Sequence, residues 1–166
     1  MKFVSFLLKG QPKFGISDGN NITDLTDKIK GAQTLKELIA NKSIQEAKEF
    51  SKKNPGKISH KEIEYLPVIP NPGKIVCVGL NYSEHVKETG RTVEQNPVIF
   101  LRVPESQTAH KQAIQRPKVS ESLDYECEMA VIMGDGGKHI KSEDALKHIV
   151  GYSCYNECTV REWQQH

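Results

Sequence analysis

The sequence predicts an α+β protein in which a small α/β N-terminal lobe precedes a β-rich second unit. Short apolar runs alternate with Gly, Pro and Asn turns over the first 25 residues, which is typical of antiparallel strands. Two Thr/Ser-x-x-Glu patterns then indicate helix starts. A proline-rich stretch follows, and after it the apolar runs return at strand-like length.

The N-terminal lobe is predicted to begin with antiparallel strands and to end with two helices. The strands are expected at 3–8, 13–16 and 21–25. Each helix is expected to open with a capping box, formed by Thr34 with Glu37 and by Ser43 with Glu46. Narrow apolar faces on both helices indicate that they pack against the strands.

The 166 residues are predicted to divide into two units joined by a stiff linker. Residues 1–66 form the N-terminal lobe, 67–73 the Pro-rich linker, and 74–166 the second unit. Proline cannot donate a hydrogen bond to a sheet and restricts the backbone, so 67–73 is interpreted as a boundary.

The second unit is predicted to be mostly strands. Its elements are expected as strands at 74–78, 97–101, 123–133 and 151–159, with helices at 85–89 and 142–150. Residues 129–133 are wholly apolar, which favours a strand buried on both faces.

Composition argues against several classes of partner. The chain is 37% hydrophobic and 27% charged with a formal charge of +2, so no strong attraction to nucleic acid or to a membrane surface is expected. The N-terminus has no signal-peptide cleavage pattern, and no apolar run reaches the length of a membrane span. We expect no nucleic-acid and no membrane partner.

The cysteines favour a cytoplasmic location. All four lie within apolar or aromatic segments, which suits reduced core thiols. Cys154 and Cys158 lack a second Cys or His pair at a recognised spacing, so a zinc site is disfavoured.

Acidic residues recur at every second position before the apolar run of 129–133. In a strand, Asp124, Glu126 and Glu128 share one face, and Glu157 lies in a segment that can run alongside. Oxygen ligands on a shared face suit a hard cation such as Mg²⁺, Mn²⁺ or Ca²⁺. An edge strand that uses charge to resist pairing is the alternative.

A histidine and a glutamate lie three residues apart on the predicted helix at 85–89. His85 and Glu88 would share a helix face, where the carboxylate can hold the imidazole as a general base; a surface pair of little consequence is the alternative. Arg102 ends an apolar strand and can bind a substrate carboxylate or form a structural ion pair.

Four segments in this order resemble the fumarylacetoacetate hydrolase family. They are Gly79–Glu88, Pro97–Arg102, Leu123–Ile132 and Gly151–Gln164. The resemblance implies that 74–166 is the N-terminal part of the family's catalytic domain, a β-rich roll with mixed sheets. Members usually continue well beyond this length, so it implies an incomplete roll truncated at the C-terminus. It also implies a homodimer.

The resemblance also implies a metal site. Mg²⁺ or Mn²⁺, with Ca²⁺ as a further option, would be held by Glu126, Glu128 and Glu157. Glu157 stands where the family usually has aspartate, and its extra methylene would move the carboxylate relative to a Mg²⁺ ion.

Catalytic and substrate-binding residues are implied in the same way. His85, oriented by Glu88, would activate water, while Arg102 and His110 would contact a small dicarboxylate or 2-oxo acid. The implied reaction is hydrolysis or lysis of a C–C bond of an acylpyruvate-like acid in aromatic catabolism, with the metal stabilising the enolate.

Two alternatives remain open at this point. The first is a decarboxylase or isomerase of the same family. The second is a catalytically inactive, truncated chain that acts as a folding or oligomerisation module.

Overall fold

The structure is a computed structural model that describes residues 1–88, 90 and 96–164; the side chains of His85 and Glu88 lie outside the described part. The strands are β1 Lys2–Leu8, β2 Gln11–Ser17, β3 Asn21–Asp24, β4 Ile58–Ser59, β5 Ile63–Tyr65, β6 Ile75–Gly79, β7 Val98–Arg102, β8 Leu123–Asp124, β9 Cys127–Met133, β10 Ile149–Asn156 and β11 Thr159–Val160. The α-helices are α1 Leu35–Ala40, α2 Ile44–Lys53, α3 Ser83–Glu88 and α4 Arg161–Gln164. The fold is therefore α+β and rich in strands, as predicted.

The N-terminal strands form one antiparallel sheet in the order β4-β3-β2-β1-β5. The β1–β2 hairpin turns at Lys9 and Gly10, which have φ angles of 52° and 76°. Two successive positive φ angles match the twist of a two-residue hairpin, and glycine adopts such an angle without strain. The three strands predicted in this lobe are confirmed.

The two helices start differently although their sequences look alike. Thr34 and Glu37 form the predicted capping box, with each side chain accepting from the other residue's backbone N–H at 3.1 Å. At the second helix the prediction is wrong, because the Ser43 hydroxyl instead contacts the Asn41 carbonyl at 3.5 Å. The φ and ψ of Ser43 are −90° and 17°, outside the extended conformation that usually directs a cap toward the helix.

The buried core lies between this sheet and the two helices. Phe14 and Ile16 of β2 pack with Leu25, with Leu38 of α1 and with Ala47 of α2, and all five are nearly inaccessible to solvent. Their burial supplies the apolar contact that stabilises short helices such as α1, which are marginal alone.

The second half of the chain consists of antiparallel strand pairs. β6 pairs with β7, β9 with β10, and β8 with β11. The family resemblance implied mixed sheets, whereas every pairing in the described residues is antiparallel.

The strand predicted at 123–133 is interrupted after Asp124. The backbone N–H of Glu126 donates to the side-chain Oδ1 of Asn156 at 3.1 Å, so a side chain occupies the place of a ladder bond. Pairing resumes at Cys127 and runs to Met133. The prediction of one continuous strand over 123–133 is therefore wrong, because a short break divides it into β8 and β9.

The helix predicted at 142–150 is also different. Residues Ser142–His148 form a 3₁₀ helix, in which the backbone N–H of Asp144 donates to the Lys141 carbonyl at 3.0 Å, and the chain enters β10 at Ile149. The β-branched pair Ile149 and Val150 suits a strand that can pair with β9, and this pairing prevails over the capping signal.

Apolar strands of the second half are more exposed than the sequence suggested. Ala130 and Ile132 are half-buried, whereas Met129 is 62% exposed, so β9 is covered on one face only. Leu101 in β7 is 68% exposed. The prediction of a strand buried on both faces is wrong, because in the described residues β9 pairs with β10 alone and its odd-numbered side chains face outward.

Across the ranges 1–88, 90 and 96–164, the helices are too short and too polar to cross a lipid bilayer.

Candidate functional site

Three glutamates lie on one face of the β9–β10 pair. The backbone N–H of Glu157 donates to the Glu126 carbonyl at 2.9 Å, which extends the antiparallel register beyond the end of β10. Glu128 lies opposite Tyr155 in that register. Directly opposed residues share a face, as do residues two apart on one strand. The fold therefore brings the three predicted metal ligands to the same side of the ribbon.

Glu157 is buried and paired with an arginine. Its Oε1 accepts from Nε of Arg102 at 2.6 Å, and a second guanidinium nitrogen of Arg102 donates to the Cys158 carbonyl at 3.0 Å. Burial is the largest single influence and acts to lower the pKa of Arg102, but the hydrogen bond and charge of Glu157, with smaller contributions from Tyr155 and Cys77, together outweigh burial and raise this pKa. A carboxylate that is only 9% exposed needs such a partner.

The thiol of Cys77 lies against this pair. Burial raises the pKa of Cys77 to about 11, and its hydrogen bond to the Glu157 carboxylate acts in the same direction. Cys77 therefore stays a neutral thiol near physiological pH, which does not suit a nucleophile.

A second arginine binds the other acids of the ribbon. Arg161, the first residue of α4, donates through Nε to Oδ2 of Asp124 at 3.0 Å. One of its terminal nitrogens lies 2.8 Å from the same oxygen and 3.1 Å from Oε1 of Glu126. The sequence interpretation gave Arg161 no role. Its position four residues after Glu157, close to the acidic segment in the fold, is the sequence feature that could have indicated a role for Arg161.

The third glutamate connects the ribbon to helix α3. The hydroxyl of Tyr82 donates to Oε2 of Glu128 at 3.0 Å, and this hydrogen bond raises the pKa of Tyr82. The Tyr82 carbonyl accepts from the backbone N–H of Val86. The side chain of Val86 is fully buried and anchors the helix. The start of α3 is thereby held next to β9.

The predicted dyad lies on this helix. His85 and Glu88 fall within Ser83–Glu88, which is helical, so their positions three apart share a face. Their side chains lie outside the described part of the structure, and their hydrogen bond stays a prediction.

His110, which was predicted to bind substrate, lies against Tyr65 and not beside Arg102 or Arg161. Its ring meets the ring of Tyr65 edge-on at 4.9 Å, and Lys111 lies 5.8 Å from the centre of the same ring. These residues line a cleft of about 400 Å³ beside strand β5, together with His60. The structure thus places Arg102 beside the acidic ribbon, the face of the β9–β10 pair that carries Glu126, Glu128 and Glu157, and places His110 on the N-terminal lobe.

The acidic ribbon fits a hard divalent cation in donor type and in placement, because carboxylate oxygens on one face are the ligands such ions prefer. The side chains are nevertheless directed to other partners: Glu126 to Arg161, Glu157 to Arg102, and Glu128 to Tyr82. Within the described residues, His, Cys, Asp and Glu side chains do not gather in a group of three that could hold a metal.

Comparison with known sequences relates the whole chain to one group of proteins. Residues 74–166 match the family described as fumarylacetoacetate (FAA) hydrolase C-terminal. An oxaloacetate tautomerase from Xenopus laevis is 34% identical over 99% of this chain and 54% of the relative. An oxaloacetate tautomerase from Homo sapiens is 37% identical over 62% of this chain and 33% of the relative. The chain thus spans about half the length, or less, of these curated relatives.

Solved structures show the same fold. A fumarylacetoacetate hydrolase from Exiguobacterium antarcticum superimposes with a TM-score of 0.81 at 28% identity, covering 99% of this chain and 58% of that one. A maleylpyruvate hydrolase from Sphingobium sp. SYK-6, solved with manganese(II) and pyruvate, superimposes at 0.77 with 20% identity, covering 97% and 60%. With the match over 74–166, these findings show that the chain belongs to the fumarylacetoacetate hydrolase family.

Proposed function

We propose that this protein promotes enolate chemistry on a small 2-oxo dicarboxylic acid, with a divalent metal ion bound at the acidic ribbon. The coarse part of this proposal follows from family membership, because the relatives are named as hydrolases, tautomerases and isomerases. The substrate class and the residue roles are our proposal for this chain.

One contact carries the proposal. The 3.0 Å hydrogen bond from Tyr82 to Glu128 joins the start of α3 to the face that bears the glutamates. Helix α3 supplies the imidazole of His85, and β9 supplies carboxylate ligands. A base and a cation site on neighbouring elements are what proton removal beside a carbonyl requires.

Glu126, Glu128 and Glu157 would hold the metal, with Mg²⁺ and Mn²⁺ preferred over Ca²⁺. A structural relative contains manganese together with pyruvate, which supports this assignment. When bound, such an ion supplies positive charge that stabilises the enolate oxygen of a 2-oxo acid.

Side chains of this chain would move the proton and orient the substrate. His85 accepts the proton, either from the substrate carbon or from an attacking water, and Glu88 keeps the imidazole in one tautomer. Arg102 is assigned to a substrate carboxylate, whereas His110, which lies against Tyr65 on the N-terminal lobe, is not assigned to this site. Arg102 lies beside Glu157, so its guanidinium is already at the edge of the proposed site.

Two reactions share this enolate. Water attack on an acylpyruvate-like acid would break a C–C bond, as expected for a hydrolase or lyase of aromatic catabolism. Removal of a proton from the carbon beside the keto group of oxaloacetate, followed by its return to the enolate oxygen, would give tautomerisation. The relative that matches 99% of this chain favours this reaction. Decarboxylation and isomerisation are further outcomes of the same chemistry.

A substrate panel separates these outcomes. The protein is assayed with Mn²⁺ on oxaloacetate, by keto–enol absorbance and by pyruvate release, and on an acylpyruvate, by cleavage. We expect turnover that depends on Mn²⁺ and is lost in Glu128→Gln, while Glu143→Gln, an exposed acid on the 3₁₀ helix, retains it. Absence of metal-dependent turnover on every substrate would refute the proposal.

Exposed apolar strands favour a second candidate function, a non-catalytic folding or oligomerisation module that assembles as a homodimer. Leu101, Val76 and Met129 are more than half exposed, which is unusual for strand residues of a monomer. This candidate predicts stable self-association with no metal-dependent turnover, and association unchanged in Glu128→Gln. A monomer by sedimentation would refute it.

A further inference from the structure

Two arginines neutralise the glutamates that are assigned to the metal. Glu126 and Glu157 face each other across the strand pair, where like charges directly opposite are destabilising. Each contacts a different guanidinium group: Arg161 for Glu126 at 3.1 Å and Arg102 for Glu157 at 2.6 Å. Together the two guanidinium groups carry the same charge as one divalent cation.

Both arginines also have a second partner on the protein. Arg161 keeps two contacts to Asp124, at 2.8 and 3.0 Å, and Arg102 donates to the Cys158 carbonyl at 3.0 Å. Either guanidinium can therefore leave its glutamate without losing all its hydrogen bonds. This differs from a simple ion pair, in which separation would expose both partners.

We propose that Arg102 and Arg161 occupy the place of the metal ion in the metal-free protein. A metal ion that binds there replaces Arg102 as the partner of Glu157 and Arg161 as the partner of Glu126. This inference rests on the proposed function, because it assigns the metal to the same carboxylates. The exchange lowers the affinity for the metal, because each arginine–glutamate contact must be broken. It also makes Asp124 the residue that retains Arg161 after exchange.

The first test is calorimetric titration with Mn²⁺ alone. We expect Arg161→Gln to bind Mn²⁺ about fivefold more tightly than the wild-type protein, the size of effect expected for one partly exposed ion pair. Lys147→Gln is the matched control: it removes the same charge from an exposed pair with Asp144, and its Mn²⁺ affinity should not change. Far-UV circular dichroism establishes that each variant is folded.

A second measurement uses the wild-type protein and does not depend on a variant folding. Both arginines donate through Nε to a carboxylate, so their Nε–H signals report these bonds in ¹⁵N spectra. We expect both signals to shift with one common midpoint as Mg²⁺ is added. The signal of Arg116, whose guanidinium donates to the Ser120 carbonyl, should stay unchanged.

The outcomes separate the two proposals. Mn²⁺ binding by the wild-type protein, with equal or weaker binding by Arg161→Gln and with unshifted arginine signals, would overturn the exchange and leave the proposed function standing. Absence of Mn²⁺ binding in the wild-type protein and in Arg161→Gln would overturn both. Tighter binding in Arg161→Gln alone, with Lys147→Gln unchanged, supports the exchange.

Discussion

The Nε atom of Arg102 lies 2.6 Å from Oε1 of Glu157, and this contact joins the end of β7 to the residue that follows β10. The two strands belong to different sheets, so the ion pair connects parts of the second half that share no ladder bonds. Because Glu157 is buried, its charged carboxylate needs a positively charged partner, and Arg102 provides it in this structure.

We therefore expect Arg102→Gln to lower the free energy of unfolding by about 2 kcal/mol, since a buried carboxylate would lose a charged partner. Urea denaturation measures this change. Lys42→Gln breaks an exposed pair with Asp135 and should change stability little. Equal effects of the two substitutions would contradict the structural role of Arg102.

The thiol of Cys77 should react slowly with alkylating reagents. Burial, with the Glu157 hydrogen bond, raises its pKa from 9.0 to about 11, so little thiolate is present below pH 9. Mass spectrometry after timed alkylation should find Cys127 and Cys154, which are exposed, modified before Cys77. Modification of Cys77 first would contradict this.

The same shift has a consequence for stability. A raised pKa means that the folded state holds the proton more tightly than the unfolded state. The stabilisation is complete below pH 9 and is lost as pH rises toward about 11. Cys77→Ser should reduce that part of the pH dependence, measured by unfolding at several pH values.

The capping box of α1 offers a test in the N-terminal lobe. Thr34→Ala removes the hydroxyl that accepts from Glu37 and should cost about 1 kcal/mol of stability. Ser43→Ala provides the control, since its hydroxyl makes only a 3.5 Å contact to Asn41 and its loss should have little effect. Thermal melts measure the stability of both variants. Equal losses of stability would show that Ser43 also caps its helix in solution, contrary to this prediction.

The exposed strand faces should make the protein bind an apolar dye and associate as concentration rises. Leu101→Glu, on β7, is expected to reduce both properties, because it places a charge in the exposed apolar face. Leu146→Glu, at an equally exposed site on the 3₁₀ helix, should change them less. Sedimentation velocity over a concentration series measures the association.

Local signals in the sequence were sufficient where short-range contacts decide the structure. Turn residues between apolar runs located the first three strands, and the pattern around Thr34 located α1 with its cap. The alternation of Asp124, Glu126 and Glu128 indicated a shared face. Each of these depends on residues within a few positions of one another.

Longer-range contacts decided the points at which the predictions were wrong. Asn156 interrupts the strand at Glu126 from 30 residues away, and pairing of Ile149 with Met133 ends the expected helix early. The exposure of Met129 also depends on distant parts of the chain, because an apolar run does not reveal whether another layer of structure covers the strand.

The sequence alone determined the family, the α+β class and the acidic strand, because these reside in residue types and their spacing. The folded arrangement determines which arginine contacts which glutamate: Arg102 reaches Glu157 from β7, and Arg161 reaches Glu126 from α4. Spacing along the chain carries no information about such encounters, since an ion pair depends on where distant elements pack.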